Sequence, residues 1–244
     1  MPPGLTDVVA YASLAAATAA LGVFPFVTRR RIPTAWLGWA NALAAGLMLG
    51  ASYLLTVEGL EIHPLAETLG AALGVATLYL THTLSGTRDL ALDTSPAPGD
   101  VYVEKLWLRN AIHAAAEGTA IGAAMAVNRE FGIFVALAFM AHNVPEAIAL
   151  TAVLRSRGRG IVACAILSVT SNLGQVVLGA ATFLAARAFP ALLPAALGFP
   201  AGALIYLVTV ELLPDSFQEA GHTTIAVLSS VALCAVVLVR GFIG

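Results

Sequence analysis

The chain has 244 residues, of which 59% are hydrophobic types and only 11% are charged, with a formal net charge of −2. A soluble domain carries about 25% charged residues, so this composition excludes a disordered chain, a nucleic-acid binder and an ordinary soluble enzyme. With a mean hydropathy of +0.88, what remains is an integral membrane protein.

A spanning helix needs roughly 20 apolar residues. Eight apolar segments can be read in chain order, over 5–28, 34–57, 65–86, 105–127, 131–154, 160–186, 191–214 and 223–243. Arg29, Arg30, Arg31 and Pro33 end the first, and the stretch from Glu58 to Pro64 ends the second. The run TRDLALDTSPAPGDVYVE, 87–104, is the long polar loop. Asn128, Arg129 and Glu130 form a tight turn, and Arg155, Arg157 and Arg159 lie between the fifth and sixth segments. Pro190 and Pro194 bracket the start of the seventh, and PDSFQEAGH, 214–222, follows it. The apolar runs are continuous and do not alternate, so helices are expected and a β-barrel is not. The expected fold is all-α: one eight-helix transmembrane domain over 1–244.

The first segment is not read as a cleavable signal peptide, because no Lys or Arg precedes its apolar run. Of the 12 basic residues, Arg29, Arg30, Arg31, Arg88, Lys105, Arg109, Arg155, Arg157 and Arg159 fall on the odd-numbered loops and their flanks. Arg129, Arg187 and Arg240 fall on the other side. Basic residues favour the cytoplasm, so both termini are expected outside, with 87–104 cytoplasmic and the protein multi-pass in the cell (inner) membrane. GxxxG patterns at Gly70 and Gly74, Gly118 and Gly122, and Gly198 and Gly202 read either as close helix contacts or as chance in a Gly-rich chain. Cys164 and Cys234 give neither a disulfide framework nor a metal signature.

Ionisable groups inside a membrane are costly and mark functional sites. The fourth segment carries His113 and Glu117, and the fifth carries His142, Asn143 and Glu146. Each His–Glu pair is spaced i, i+4 and so shares a helix face. The two helices are antiparallel about the turn at Asn128. At 1.5 Å per residue, His113 lies about 12 Å above Lys105 and Glu146 about 13 Å from Arg155 at the same side. His113 should therefore be level with Glu146, and Glu117 with His142. Two buried carboxylates without a basic partner must bind protons or an external cation. A divalent metal neutralises both, and imidazole nitrogen and carboxylate oxygen suit zinc and its neighbours. The same residues also fit protonated Glu hydrogen-bonded to His as helix glue, or a proton relay without metal.

HNVPEAIAL at 142–150 resembles the HNxPEG signature of the ZIP (Zrt-, Irt-like protein) divalent-metal transporters, of bacterial or archaeal type. HAAAEGTAIGAA at 113–124 resembles the companion motif on the preceding helix, ALIYLVTVELLPDSFQEAGH at 203–222 the seventh helix and its exit end, and LAAGLMLGASYLL at 43–55 the second. The resemblance implies eight helices, with 1–3 and 6–8 an inverted repeat around 4 and 5. It also implies divalent metal, most simply Zn²⁺ but also Fe²⁺, Mn²⁺, Cd²⁺ or Co²⁺, moved into the cytoplasm as substrate. Transport is by a bundle moving against a scaffold, often in a homodimer. By motif position it implies a first metal position from His113, Glu117, His142 and Glu146. A second, adjacent position would use Asn143, Glu146, an Asn after the helix-4 His and a helix-6 Glu. Here Ala114 follows His113, Ala116 replaces the helix-4 Pro, and Asn172 stands where the family commonly has Glu.

Asn172 and Gln175 share a face and read as ligands or as packing hydrogen bonds. Glu211, Asp215 and His222 read as a cytoplasmic release site or as solvated interfacial residues, with the resemblance favouring the former for Glu211. His63, Glu58 and Glu61 read more simply as a solvated loop than as a metal vestibule, and His82 as interfacial. Asn41 and Ser52 have no assigned role. Two other function classes compete with a transporter: an intramembrane metal hydrolase, and a metal-free proton or solute carrier. Neither HExxH nor GxSxG is present to support the hydrolase.

Overall fold

The structure, a computed structural model, describes residues 3–29, 32–87, 90 and 100–243. The described residues form eight helical rods, some of them of more than one helical element, and no strand. They are α1 (Leu5–Thr28), α2 (Thr34–Ile62), α3 (Pro64–Ser85), α4 (Asp100–Val127), α5 (Arg129–Ser156), α6 (Ile161–Ala188), α7 (Pro190–Glu219) and α8 (His222–Ile243). All but α3 and α4 are long and apolar enough to cross a membrane by length and composition.

Several boundaries differ from the sequence reading. The segment 87–104 is not all loop, because 100–104 are the first turn of α4; most of the rest lies outside the described residues. Glu58 and Glu61 do not end α2, which runs on to Ile62 and stops at His63 and Pro64. His63 caps α3 by accepting from the Ala66 N–H through Nδ1 at 3.2 Å. PDSFQE continues α7 to Glu219. Pro214 is tolerated because it follows a π-helical turn, Val208–Leu212, where the ordinary i to i−4 ladder is already broken.

The outside of the bundle is apolar. Along α3, Leu65, Leu69, Leu73, Leu80 and Leu84 are all exposed. The inside holds Glu117, His142, Asn143, Gln175 and His82, each fully buried. This polarity is the reverse of a soluble protein and suits a bundle solvated by lipid.

Small residues set the packing. A Cβ on Gly70 or Gly74 of α3 would lie 2.3 Å from the Ala195 carbonyl oxygen and 2.0 Å from that of Phe199, both on α7. Reciprocally, Gly198 and Gly202 of α7 meet the carbonyls of Glu67 and Ala71 at 2.1 and 2.0 Å. The two GxxxG patterns therefore face each other within one chain, and Gly118 and Gly122 of α4 face the α6 backbone in the same way. Contacts tie α2, α3, α7 and α8 into one group and α1, α4, α5 and α6 into another, joined chiefly by α2 against α5 and α4 against α7.

Candidate metal centre

Three helices are irregular where the polar residues gather. α5 carries Pro145 inside the helix, between Asn143 and Glu146, and a proline there removes one helical hydrogen bond. α6 is interrupted at Asn172, between Ile161–Ser171 and Leu173–Ala188. α7 carries Glu211 within the π turn Val208–Leu212. Such turns recur at functional sites because they redirect a side chain without ending the helix.

The α4 and α5 pairs interlock as the register estimate placed them. His142 Nε2 lies 3.1 Å from Glu117 Oε1 and 3.5 Å from Glu146 Oε2. His113 Nδ1 lies 3.3 Å from Glu146 Oε1. All four side chains are nearly or fully buried. The nearest ligand atoms of Glu117, His142 and Glu146 lie within 4.8 Å of one another, close enough to converge on one ion. His142 Nδ1 lies 3.3 Å from the Ala44 carbonyl oxygen of α2. An Nδ1–H donated to that oxygen leaves the Nε2 lone pair for a metal, the usual outer support of a histidine ligand.

His113 Nε2 also lies 2.9 Å from Glu211 Oε2, and His82 Nδ1 lies 3.3 Å from Glu211 Oε1. His82, His113 and Glu211 form a second group with metal-ligand spacing. Two sequence readings are corrected here. His82 is not interfacial but fully buried, with Nδ1 also 2.9 Å from Thr87 Oγ1. Glu211 is only 5% exposed, so it is not a solvated interfacial residue. Arg109 joins it to Asp215: Nε donates to Glu211 Oε2 at 2.6 Å and Nη2 to Asp215 Oδ2 at 3.2 Å. His222 is apart from them, exposed at the start of α8 with its ring beside Phe217.

On the other side of Glu117 sits an amide network. Gln175 Nε2 lies within hydrogen-bonding distance of Glu117 Oε2 and, at 3.2 Å each, of Asn143 Oδ1 and Asn172 Oδ1, so its two hydrogens are shared among three acceptors. Asn143 Nδ2 donates to the Ala15 carbonyl at 2.7 Å, and Asn172 Nδ2 to that of Ser168 at 2.8 Å. The carbonyl oxygens of both asparagines are thus engaged by amide hydrogens. Sequence reasoning undervalued Gln175, His82 and Arg109. The available signal was position: Arg109 is four residues before His113 on the same face of α4, and Gln175 is three after Asn172.

Buried imidazoles and carboxylates inside an apolar helical bundle define a multi-pass membrane protein with a polar, metal-competent core. The profile of the ZIP zinc transporter family matches residues 103–243. The chain belongs to that family, whose members are transporters and not enzymes. It is 32% identical over 229 residues, 91% of its length, to an Arabidopsis thaliana protein that is itself a candidate zinc transporter. It spans 36% of that relative's length.

Proposed function

We propose that this chain carries divalent metal ions, Zn²⁺ foremost, across the cell membrane into the cytoplasm, through a site between α4 and α5. One observation carries this reading: Glu117, His142, Glu146 and His113 meet in a bundle interior where no Arg or Lys contact to either carboxylate occurs among the described residues. In this reading those four residues are the first metal position. Asn143 and Asn172 are the remnants of a second, and their engagement by Gln175 supports one resident ion over two. Glu211 and Asp215 serve release, with His82 taking the part first given to His222.

All eight rods span the membrane, including α3 and α4. Of the polar residues that lower the hydropathy of α4, Arg109, Asn110, His113, Glu117 and Thr119 are buried among neighbouring helices, while Glu104 in its first turns is exposed. The packing supports an inverted repeat of α1–α3 and α6–α8. α2 lies on α8 as α7 lies on α3, the pairing that exchange of α2 with α7 and α3 with α8 requires. The two helix groups would be the scaffold and the moving bundle, in a chain with both termini outside, residues 87–104 cytoplasmic and 1–244 acting as one unit. A homodimer is part of the reading, although the GxxxG faces are spent inside the chain.

Zinc uptake into proteoliposomes tests it. The wild-type chain should accumulate metal, and His113→Ala, Glu117→Ala, His142→Ala and Glu146→Ala should each cut uptake at least tenfold while eluting as a single folded species. Normal uptake in any two of the four makes the cluster structural. Cleavage of an added peptide or lipid without metal flux would favour the hydrolase instead.

A further inference from the structure

Arg109 is a permanent cation buried among the groups read as metal ligands. It is 5% exposed, and a guanidinium cannot shed its proton in a protein. Each of its three nitrogens donates: besides Nε to Glu211 and Nη2 to Asp215, Nη1 donates to the Leu90 carbonyl at 2.5 Å. Glu211 is where two demands meet. The Oε2 that accepts from Arg109 is the atom 2.9 Å from His113 Nε2, and Oε1 is 3.3 Å from His82 Nδ1. His82, His113 and Glu211 have the spacing of a three-ligand position, yet their carboxylate already holds a cation.

A metal ion and a guanidinium on one carboxylate are like charges at close range, and like charges repel in a protein interior. Glu211 Oε1 has no hydrogen-bond partner among the described residues, so the competition is for the single charge of the carboxylate and not for its last oxygen. A cavity of about 20 Å³, room for about one water, lies between Arg109 and the first cluster. Its lining includes Asn41, Arg109, Asn110, His113, Glu146 and Asp215. Asn41 is 1% exposed and its Nδ2 has no hydrogen-bond partner among the described residues. One small cavity thus touches both Glu146 of the first cluster and the Arg109 fork, with Leu106, Leu150 and Leu212 among its other walls.

We propose that Arg109 is a tethered counter-cation: it holds Glu211 and Asp215 when no metal is on them, and an ion reaching His82, His113 and Glu211 must displace it. The inference rests on the metal-carrying reading for the identity of the competitor. It makes Arg109 a positioning residue that keeps the wild-type chain at one tightly held ion and delays the next step of passage until the fork opens.

Equilibrium zinc binding to the purified full chain in detergent tests this. Arg109→Gln should bind one more Zn²⁺ per chain than the wild type, or bind the further ion at least tenfold more tightly. The gain should vanish in Arg109→Gln combined with His82→Ala, and Arg109→Lys, which keeps the charge, should not show it. A folded Arg109→Gln protein that binds zinc with wild-type number and affinity overturns the proposal. A second measurement needs no charge removal. In the wild-type chain labelled with ¹⁵N-arginine, the Nε–H resonance held by Glu211, assigned by its loss in Arg109→Lys, should shift or vanish in millimolar zinc. A resonance unchanged in millimolar zinc also overturns it. Neither readout uses flux. Absent uptake with both results as expected would refute transport and leave the exchange at Glu211 standing.

Discussion

His142 and Gln175 illustrate how single residues bear on the proposed stoichiometry of the core. His142 offers one nitrogen to two carboxylates and steadies the other against a backbone oxygen, which suits a ligand. Gln175 does the opposite: its two amide hydrogens are shared among Glu117, Asn143 and Asn172, the oxygens that the proposed second ion would need. Replacing that donor with an acceptor should free them. Gln175→Glu is expected to raise bound zinc from one to two ions per chain, read by metal analysis after gel filtration, and an unchanged ratio would count against the amide plug. The four clustered side chains on α4 and α5 were legible in the sequence because each pair is local, at i, i+4, and the turn at Asn128 fixes the register between them. His82, Arg109 and Glu211 were not legible as a group. They come from three helices, and the depth and facing of Glu211 depend on a π turn that no local pattern announces.

At the scale of helices, apolar runs located every rod, while the punctuation misplaced several ends. Glu58 and Glu61 remain helical because backbone hydrogen bonding continues past the apolar run, and Pro214 remains helical because it follows an already irregular turn. The GxxxG patterns could not be assigned from one sequence, since chance and contact look alike there; their facing arrangement on α3 and α7 is a tertiary fact. It carries a stability prediction. A side chain on Gly202 would meet the Ala71 carbonyl oxygen at 2.0 Å, whereas one on Gly241 of α8 meets nothing within 4 Å. Overpacking a tight interior costs on the order of 1–3 kcal/mol. Gly202→Val should therefore lower the Tm of the purified protein by several degrees, and Gly241→Ala should leave it unchanged. Equal Tm values for both would mean that α3 and α7 can part without loss.

For the whole molecule, orientation and charge balance are linked, because whatever crosses the bilayer must not leave bare charge in it. Orientation is tested by single cysteines in a chain lacking Cys164 and Cys234: Arg157→Cys should label from the cytoplasmic side and Arg129→Cys from outside. The reverse pattern would invert the direction of transport. Charge balance gives the other expectation. Arg109 offsets Glu211 and Asp215, but Glu117 and Glu146 face only histidines and amides among the described residues. Metal binding requires neutral imidazole nitrogen and ionised carboxylate, so an ion entering this cluster must expel the protons that balance it when empty. The groups share hydrogen bonds, and the titration belongs to the cluster as a unit. By mass action, zinc affinity should fall as pH is lowered from neutral into the acid range. Adding zinc to the metal-free protein in weak buffer should release protons. Affinity that stays level across that range, with no proton release, would mean that the empty cluster holds its carboxylates ionised. The balancing charge would then have to be a cation other than a proton, and Arg109, four residues before His113 on the same face of α4, would be the first group to examine.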